Sequence, residues 1–204
     1  MTARAEPVHD EPRRGRPRSE SSRQAILAAA GELLLERGPN SISMDEVAER
    51  AGASKATIYR WWPSKELLAL DALYNQSEPS QHEPPDTGSF AKDLLALIRP
   101  WARQLSTASY ARLVAAFISR AQNDPEFGEE YRAHFVKPRR DQARVVFERA
   151  IERGEISSDT DVEAALDLLY APFYHRVLHG HAKLTDDFIQ TIVGYVVRAL
   201  APAR

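Results

Sequence analysis

The sequence predicts an all-α fold of about nine helices, and three observations lead to this prediction. Apolar residues recur at three- and four-residue spacings along nearly the whole chain, which is the period of one face of a helix. Serine, threonine or aspartate precedes many of these segments, and glycine follows several of them, as expected at helix ends. No segment requires the alternating pattern of a strand.

The first predicted helix runs from about Ser21 to Arg37, and Gly38 ends it. Its apolar residues fall on one stripe, so that one face can be buried while the other stays in water. The stripe consists of Ile26, Ala30, Leu33 and Leu34.

Residues 41 to 66 predict two short helices joined by a tight turn. Ser43 can cap the first helix, with Glu46 reaching back to complete a capping box. Gly52 can take the left-handed conformation that a sharp turn needs, and Ser54 can cap the second helix. This is the spacing of a helix-turn-helix motif.

The second of these helices has a polar and basic first turn. Ala56 and Ile58 are expected to face the first helix, which leaves other side chains directed outward. A helix of this kind can enter a DNA groove, although helical corners also pack cores in proteins without a DNA partner. The outward side chains are Lys55, Thr57, Tyr59 and Arg60.

The stretches MDEVA, residues 44 to 48, and GASKATIYRWWPSKELL, residues 52 to 68, are similar to the signature of the TetR family of bacterial transcriptional regulators. The similarity covers roughly the first third of the chain. Ala56 departs from the pattern, because many members have glycine there. The resemblance implies an N-terminal three-helix helix-turn-helix domain, followed by a helical ligand-binding and dimerisation domain.

An arginine-rich stretch precedes the first helix, and its Arg-Gly-Arg-Pro centre resembles the AT-hook tetrapeptide. Such an arm can place arginines in the narrow minor groove, although a charge run can also be a solvated tail. Ser43 and Lys65 are expected to hold flanking phosphates. The predicted DNA-binding residues are Arg14, Arg16, Arg18, Ser43, Ser54, Lys55, Thr57, Tyr59, Arg60 and Lys65.

Composition alone does not indicate nucleic-acid binding, because 27 basic residues stand against 29 acidic ones. The absence of cysteine excludes disulfides, thiolate metal sites and cysteine nucleophiles. Neither a secretory signal nor an apolar stretch of membrane-spanning length is recognisable, so we expect a cytoplasmic protein without a membrane partner.

Ser64 is expected to cap a fourth helix that runs toward Tyr74. Residues 76 to 89, which hold three prolines and Gly88, then predict a non-helical connector. This division gives three parts: a disordered basic arm at residues 1 to 20, a DNA-binding domain at 21 to 76, and an effector-binding and dimerisation domain at 77 to 204.

Five further helices are expected beyond the connector. The third is long, starts at Asp124-Pro125 and ends at Gly154. Thr160 with Glu163 can form a capping box for the next helix, and Thr185 can cap the last.

The last two helices are too apolar for elements that face only water. They resemble the pair that meets its symmetry mate in a TetR four-helix dimer bundle, although both could simply complete the monomer core. A homodimer would place two recognition helices about 34 to 36 Å apart in successive major grooves. The predicted interface residues are Leu169, Val177, Ile189, Ile192, Val193 and Val196.

Pro100, Pro138 and Pro172 fall inside helical segments, where proline kinks or breaks a helix. Kinks prevent uniform packing, and the resemblance implies a pocket for an unknown small-molecule effector. Aromatic residues at helical spacing can equally be ordinary core. The candidate pocket residues are Trp101, Tyr110, Phe117, Phe135, Phe173, Tyr174 and His175.

Neither a metal, a cofactor nor catalysis is predicted. His175, His179 and His181 are close in sequence, but the motif lacks the further ligands of a typical metal site. No phosphate-binding loop or nucleophile motif is present. We therefore predict a homodimeric regulator, a repressor, that binds a palindromic operator in double-stranded DNA and is released by a small-molecule effector. The alternative is an architectural DNA-binding protein without an effector.

Overall fold

A computed structural model describes residues 17–38, 42–76 and 83–202 of the 204-residue chain. No strand occurs in these ranges, which confirms the all-α prediction. A π-helical turn, Arg132–Val136, joins α7 to α8 without a break, so the described ranges contain nine continuous helices. The helices are α1 (Pro17–Arg37), α2 (Met44–Ala51), α3 (Lys55–Trp61), α4 (Lys65–Asn75), α5 (Phe90–Leu105), α6 (Ala108–Asn123), α7 (Pro125–Tyr131), α8 (Lys137–Glu152), α9 (Val162–His179) and α10 (Asp186–Ala199).

Most of the predicted helix caps form. Ser43, Ser54 and Ser64 each accept a hydrogen bond from the backbone N–H three residues later, at 3.2 Å. Gly52 has a φ of 61°, the left-handed conformation that the turn between α2 and α3 requires. α1 begins four residues before the predicted Ser21, because proline suits the first helical position, where its missing N–H costs nothing.

One predicted cap is wrong. Asp161, not Thr160, is the N-cap of α9, and it accepts a hydrogen bond from Ala164 N at 3.1 Å. The Thr160 backbone N–H instead donates to Ser157 O in the preceding turn. Glu163 forms ion pairs with Arg140 and Arg144 rather than completing a capping box.

The N-terminal helices share one core, in which α1 packs against α2 and α4. Ion pairs at the edge of that core join α1 to α2: Arg37 lies 2.6 Å from Glu46, and Arg50 lies 3.0 Å from Glu36. The hydrogen bond from Arg37 holds the pKa of Glu46 below its usual value. The buried residues of this core include Ile26, Leu27, Ala30, Leu33, Leu34, Val47 and Ile58.

α4 belongs to both halves of the molecule. It packs against α1 on one side and against α7 and the π-helical turn on the other. Beyond it, α5 packs against α8 and α10, and α9 packs against α8 and α10. α4 therefore connects the N-terminal helices to the C-terminal helices.

Each of the three prolines predicted to kink or break a helix lies in a helix that continues past it. Pro100 and Pro172 lie inside α5 and α9. Pro138 follows the π-helical turn, and its nitrogen cannot donate to the carbonyl of His134 one turn earlier. The backbone widens there, and Lys137 N donates to Arg132 O with the i to i+5 spacing of a π-helix.

None of the helices in the described ranges is both long enough and apolar enough to span a bilayer.

Candidate nucleic-acid interface and ligand cavity

α3 presents most of its surface outward. Ile58 is completely buried and anchors the helix, whereas Tyr59 is 50% exposed and Arg60 is also exposed. The prediction that Ala56 faces α2 is wrong, because its side chain is exposed. Ile58 is two positions after Ala56, which places them about 200° apart around the helix. Because the Ala56 side chain is small, the exposed face of α3 can approach another surface closely at this position.

The first turn of α3 is held in a defined arrangement. The hydroxyls of Ser54 and Thr57 lie 2.9 Å apart, and Ser54 also caps the helix. Lys55 forms an ion pair with Asp45 on α2, and both side chains are largely exposed. Such a surface pair contributes little to stability, so Lys55 can exchange Asp45 for a phosphate at small cost.

The C-terminal end of α3 is fixed to the rest of the protein by two tryptophans. The guanidinium of Arg23 on α1 lies 5.8 Å from the ring centroids of both Trp61 and Trp62. Trp62 is buried, and its Nε1 donates to Asp71 Oδ2 on α4 at 2.8 Å. α3 is therefore a rigid extension of α1 and α4.

Ser43 and Lys65 are exposed at the N-terminal ends of α2 and α4, where backbone N–H groups and the helix dipole favour anions. Arg14 and Arg16 lie outside the described residues. Arg18 falls in the first turn of α1, but its side chain is likewise outside what the structure describes.

A cavity of about 380 Å³ lies between α8 and α9. Tyr174 alone among the predicted pocket residues lines it. Trp101, Tyr110, Phe117, Phe135 and Phe173 are buried in the core, and His175 is exposed. The residues that line the cavity are Val136, Arg139, Arg140, Asp167, Tyr170, Ala171 and Tyr174.

Some of those core aromatics support the cavity from behind. The ring centroid of Trp101 lies 5.4 Å from that of Tyr170 and 5.7 Å from that of Tyr174. Phe173 packs against the same indole at 5.5 Å. These contacts limit the rotamers of the two tyrosines and so preserve the shape of the cavity.

Arg139 is a cavity residue that the sequence interpretation missed. It is only 8% exposed, and its guanidinium lies 4.4, 5.4 and 5.6 Å from the ring centroids of Phe135, Trp101 and Tyr74. Its Nη1 also donates to Phe135 O at 3.3 Å. The signal was its spacing, since Arg139 lies four residues from Phe135 and from Ala143, both buried on the same stripe.

Arg140 and Asp167 form a charged edge of the cavity. Arg140 Nη1 lies 2.5 Å from Asp167 Oδ1, and its Nη2 lies 2.7 Å from Glu163 Oε2. The guanidinium of Arg140 is thus already balanced by carboxylates, in contrast to the aromatic surroundings of Arg139.

The proposed dimer residues are divided between the interior and the surface. Leu169 on α9 is buried inside the protomer, and so are Ile189, Val193 and Val196 on α10, which packs against α5 and α9. Val177 and Ile192 are half-buried. The same two helices expose other large apolar side chains, which are Leu168, Leu178 and Tyr195.

The three histidines near the end of α9 lie together. The ring centroid of His175 is 4.6 Å from that of His179 and 5.0 Å from that of His181. Across residues 17–38, 42–76 and 83–202, no group of three histidine, aspartate or glutamate side chains has an arrangement that could hold a metal ion.

Both halves of the chain match known family models. Residues 26–72 match the bacterial regulatory proteins of the tetR family, and residues 84–196 match the tetracyclin repressor-like C-terminal domain. The uncharacterised HTH-type transcriptional regulator YdeS of Bacillus subtilis is 38% identical over 181 residues, which cover 89% of this chain and 90% of YdeS. A DNA-binding transcriptional repressor TetR of Mycobacteroides abscessus is 33% identical over 90% of this chain and 95% of its own.

The fold is also that of solved regulators. The crystal structure of the TetR family transcription regulator SCO0332 aligns with a TM-score of 0.76 at 34% identity, and covers 89% of this chain and 100% of that one. Members of this family bind DNA and are not enzymes. The chain has the helix-turn-helix at α2 and α3 and the helical domain that these relatives share, and it belongs to the TetR family of transcriptional regulators.

Proposed function

We propose that the protein is a homodimeric repressor that binds a palindromic operator and leaves it when a small molecule occupies the α8–α9 cavity. The observation that carries the proposal is the exposed polar face of α3, held by Ile58 and Trp62 on a rigid frame. Preorganised side chains of this kind reach base edges and phosphates in the major groove. The Mycobacteroides abscessus relative is a DNA-binding transcriptional repressor by name, which supports repression.

The surface of α9 supports a two-fold dimer. Exposed residues follow one another at alternating spacings of four and three along this helix, which is the period of a helix-packing seam. A symmetric pair of such helices would cover the large apolar side chains that the protomer leaves in water. The residues of this α9 seam are Ala164, Leu168, Ala171, His175 and Leu178.

The contacts of α4 support communication between cavity and DNA. Asp71 on α4 accepts from Trp62 Nε1, and its other oxygen lies 2.8 Å from His134 Nδ1 in the π-helical turn. Val136, two residues beyond His134, lines the cavity. A ligand that favours one position of the π-helical turn would therefore shift Asp71 and Trp62, and with them the recognition helix.

The test of operator binding uses DNA selected from a random pool by the purified protein. The double variant Thr57→Ala, Tyr59→Ala should lower affinity for that DNA by about thirtyfold or more, because each of the two base contacts contributes roughly 1–3 kcal/mol. Thermal melting is the control and should be unchanged, since neither side chain is buried in the core. Unchanged affinity in a gel-shift titration would refute the role of α3.

The coupling through Asp71 can be tested without a ligand by a double-mutant cycle. Asp71→Asn keeps an acceptor for Trp62 but removes the charge that faces His134, and His134→Ala removes the same contact from the other side. Each variant should change operator affinity by about threefold to tenfold, and the double variant no more than the larger single change. Fully additive changes would show that the two residues act independently.

A further inference from the structure

We infer that the α8–α9 cavity binds a small organic acid, with an apolar body and one carboxylate that Arg139 receives. This inference names the chemical class of the effector. It rests on the proposed function in one respect, because the acid would be the small molecule that releases the protein from DNA. Three properties of the cavity support it, namely the buried charge, the neighbouring hydrogen-bond donor, and the size and composition of the walls.

The first property is the guanidinium of Arg139 at the inner wall. Arginine stays protonated under all ordinary conditions, so its positive charge persists even though the side chain is buried. It is surrounded by the faces of Phe135, Trp101 and Tyr74 rather than by bulk water. In such surroundings the attraction between opposite charges is much stronger than in water. The potential inside the cavity therefore favours an anion.

Arg140 provides an internal comparison on the same wall. Its guanidinium is engaged by Asp167 and Glu163, both of which are exposed, so it adds little net positive charge to the cavity. The two consecutive arginines thus have separate roles: Arg140 ties α8 to α9, and Arg139 points its charge toward the aromatic interior.

The second property is the hydroxyl of Tyr174, a hydrogen-bond donor beside Arg139 in the cavity wall. Tyr174 accepts a hydrogen bond from Arg139, and a phenol that accepts one bond keeps its own O–H to donate. Burial raises the pKa of Tyr174, so this O–H is retained at neutral pH. A carboxylate oxygen can accept from this O–H as well as from the guanidinium of Arg139.

The third property is the remaining wall. Val136, Ala171 and the ring of Tyr170 are apolar, and a volume of about 380 Å³ is near the lower end for small-molecule pockets. The walls suit a compact hydrocarbon or aromatic body. A ligand with several phosphates would need more cations than Arg139 alone supplies.

The test uses the full-length protein and three matched pairs of probes: benzoate with benzamide, 2-naphthoate with 2-naphthamide, and octanoate with octanamide. Each pair differs in charge but hardly in shape. At least one carboxylate should raise the melting temperature, and in calorimetry should bind about tenfold or more tightly than its amide. If no pair shows preference for the carboxylate, the inference is overturned.

Variants locate the charge that is responsible. Arg139→Met should remove the preference for the carboxylate while leaving amide binding within about threefold, whereas the matched control Arg140→Met should keep the preference. Tyr174→Phe, which removes only a hydroxyl, should weaken carboxylate binding by about threefold to tenfold, and serves if Arg139→Met does not fold. A carboxylate preference that survives Arg139→Met, or carboxylate binding that Tyr174→Phe leaves unchanged, would place the anion elsewhere and overturn the assignment.

A gel shift with each probe separates this inference from the proposed function. If carboxylates bind through Arg139 but the operator complex persists, the binding of an acid is supported and the release of DNA by that acid is refuted. If an amide binds as tightly as its carboxylate and releases the operator, the release of DNA by a ligand is supported and the preference for an acid is refuted.

Discussion

Replacing Leu168 with glutamate is expected to yield a folded monomer that binds its operator at least about a hundredfold more weakly. Leu168 is 58% exposed in the protomer and is the largest side chain of the N-terminal half of the α9 seam. In the proposed dimer the new carboxylate would be desolvated close to its symmetry copy, which costs several kcal/mol. Two recognition helices that are no longer linked lose the gain in effective concentration that gives a dimer its affinity.

Sedimentation velocity at low protein concentration measures the loss of the dimer, and a gel-shift titration measures the loss of operator binding. Ala96→Glu is the matched control, because it adds the same carboxylate to an exposed position on α5. That variant should stay dimeric and keep its operator affinity. A Leu168→Glu protein that remains dimeric would place the interface on another surface.

Replacing Val193 with glutamate, unlike replacing Leu168, is expected to prevent stable folding rather than only dimerisation. Val193 is 2% exposed and lies where α10 packs against α5 within one protomer. A single charge buried there without a partner costs about 3–5 kcal/mol, a large part of the roughly 5–15 kcal/mol that stabilises a typical domain.

Circular dichroism during heating measures this effect, and the Leu168→Glu protein is its comparison at a surface position. The Val193→Glu protein should melt at a much lower temperature or lack fixed tertiary structure. If it instead melts like the unmodified protein but sediments as a monomer, the stripe of α10 that is buried in the protomer would have to form part of the dimer interface.

The sequence was most informative where structure depends on neighbouring residues. Ser43, Ser54, Ser64 and Thr185 are all N-caps, because a cap is decided by a side chain and the N–H groups two or three positions away. Where two capping residues were adjacent, at Thr160 and Asp161, the choice depended on a turn that the sequence did not specify.

The cavity and the exposed seam depend on how helices are oriented, which spacing alone does not determine. α9 has an inner stripe that holds Leu169 and Phe173 and an outer one that holds Leu168 and Leu178, and both are apolar at helical spacing. Which stripe is covered within the protomer is settled only by the positions of α8 and α10. Arg139 was missed for a related reason, since an arginine is usually assigned to the surface.

The π-helical turn also accounts for the direction in which the long helix from Pro125 to Glu152 presents its buried side. Buried residues recur every four positions along it, but four residues of a regular helix turn through about 400°, so such a row winds away by about 40° at each step. The π-helical turn at Arg132–Val136 contains one additional residue. This residue rotates the row of buried residues back around the helix axis by on the order of 100°. The helix can thus keep a single row directed inward over five steps, with the cationic Arg139 in line with aromatic residues on both sides. The row is Phe127, Tyr131, Phe135, Arg139, Ala143 and Phe147.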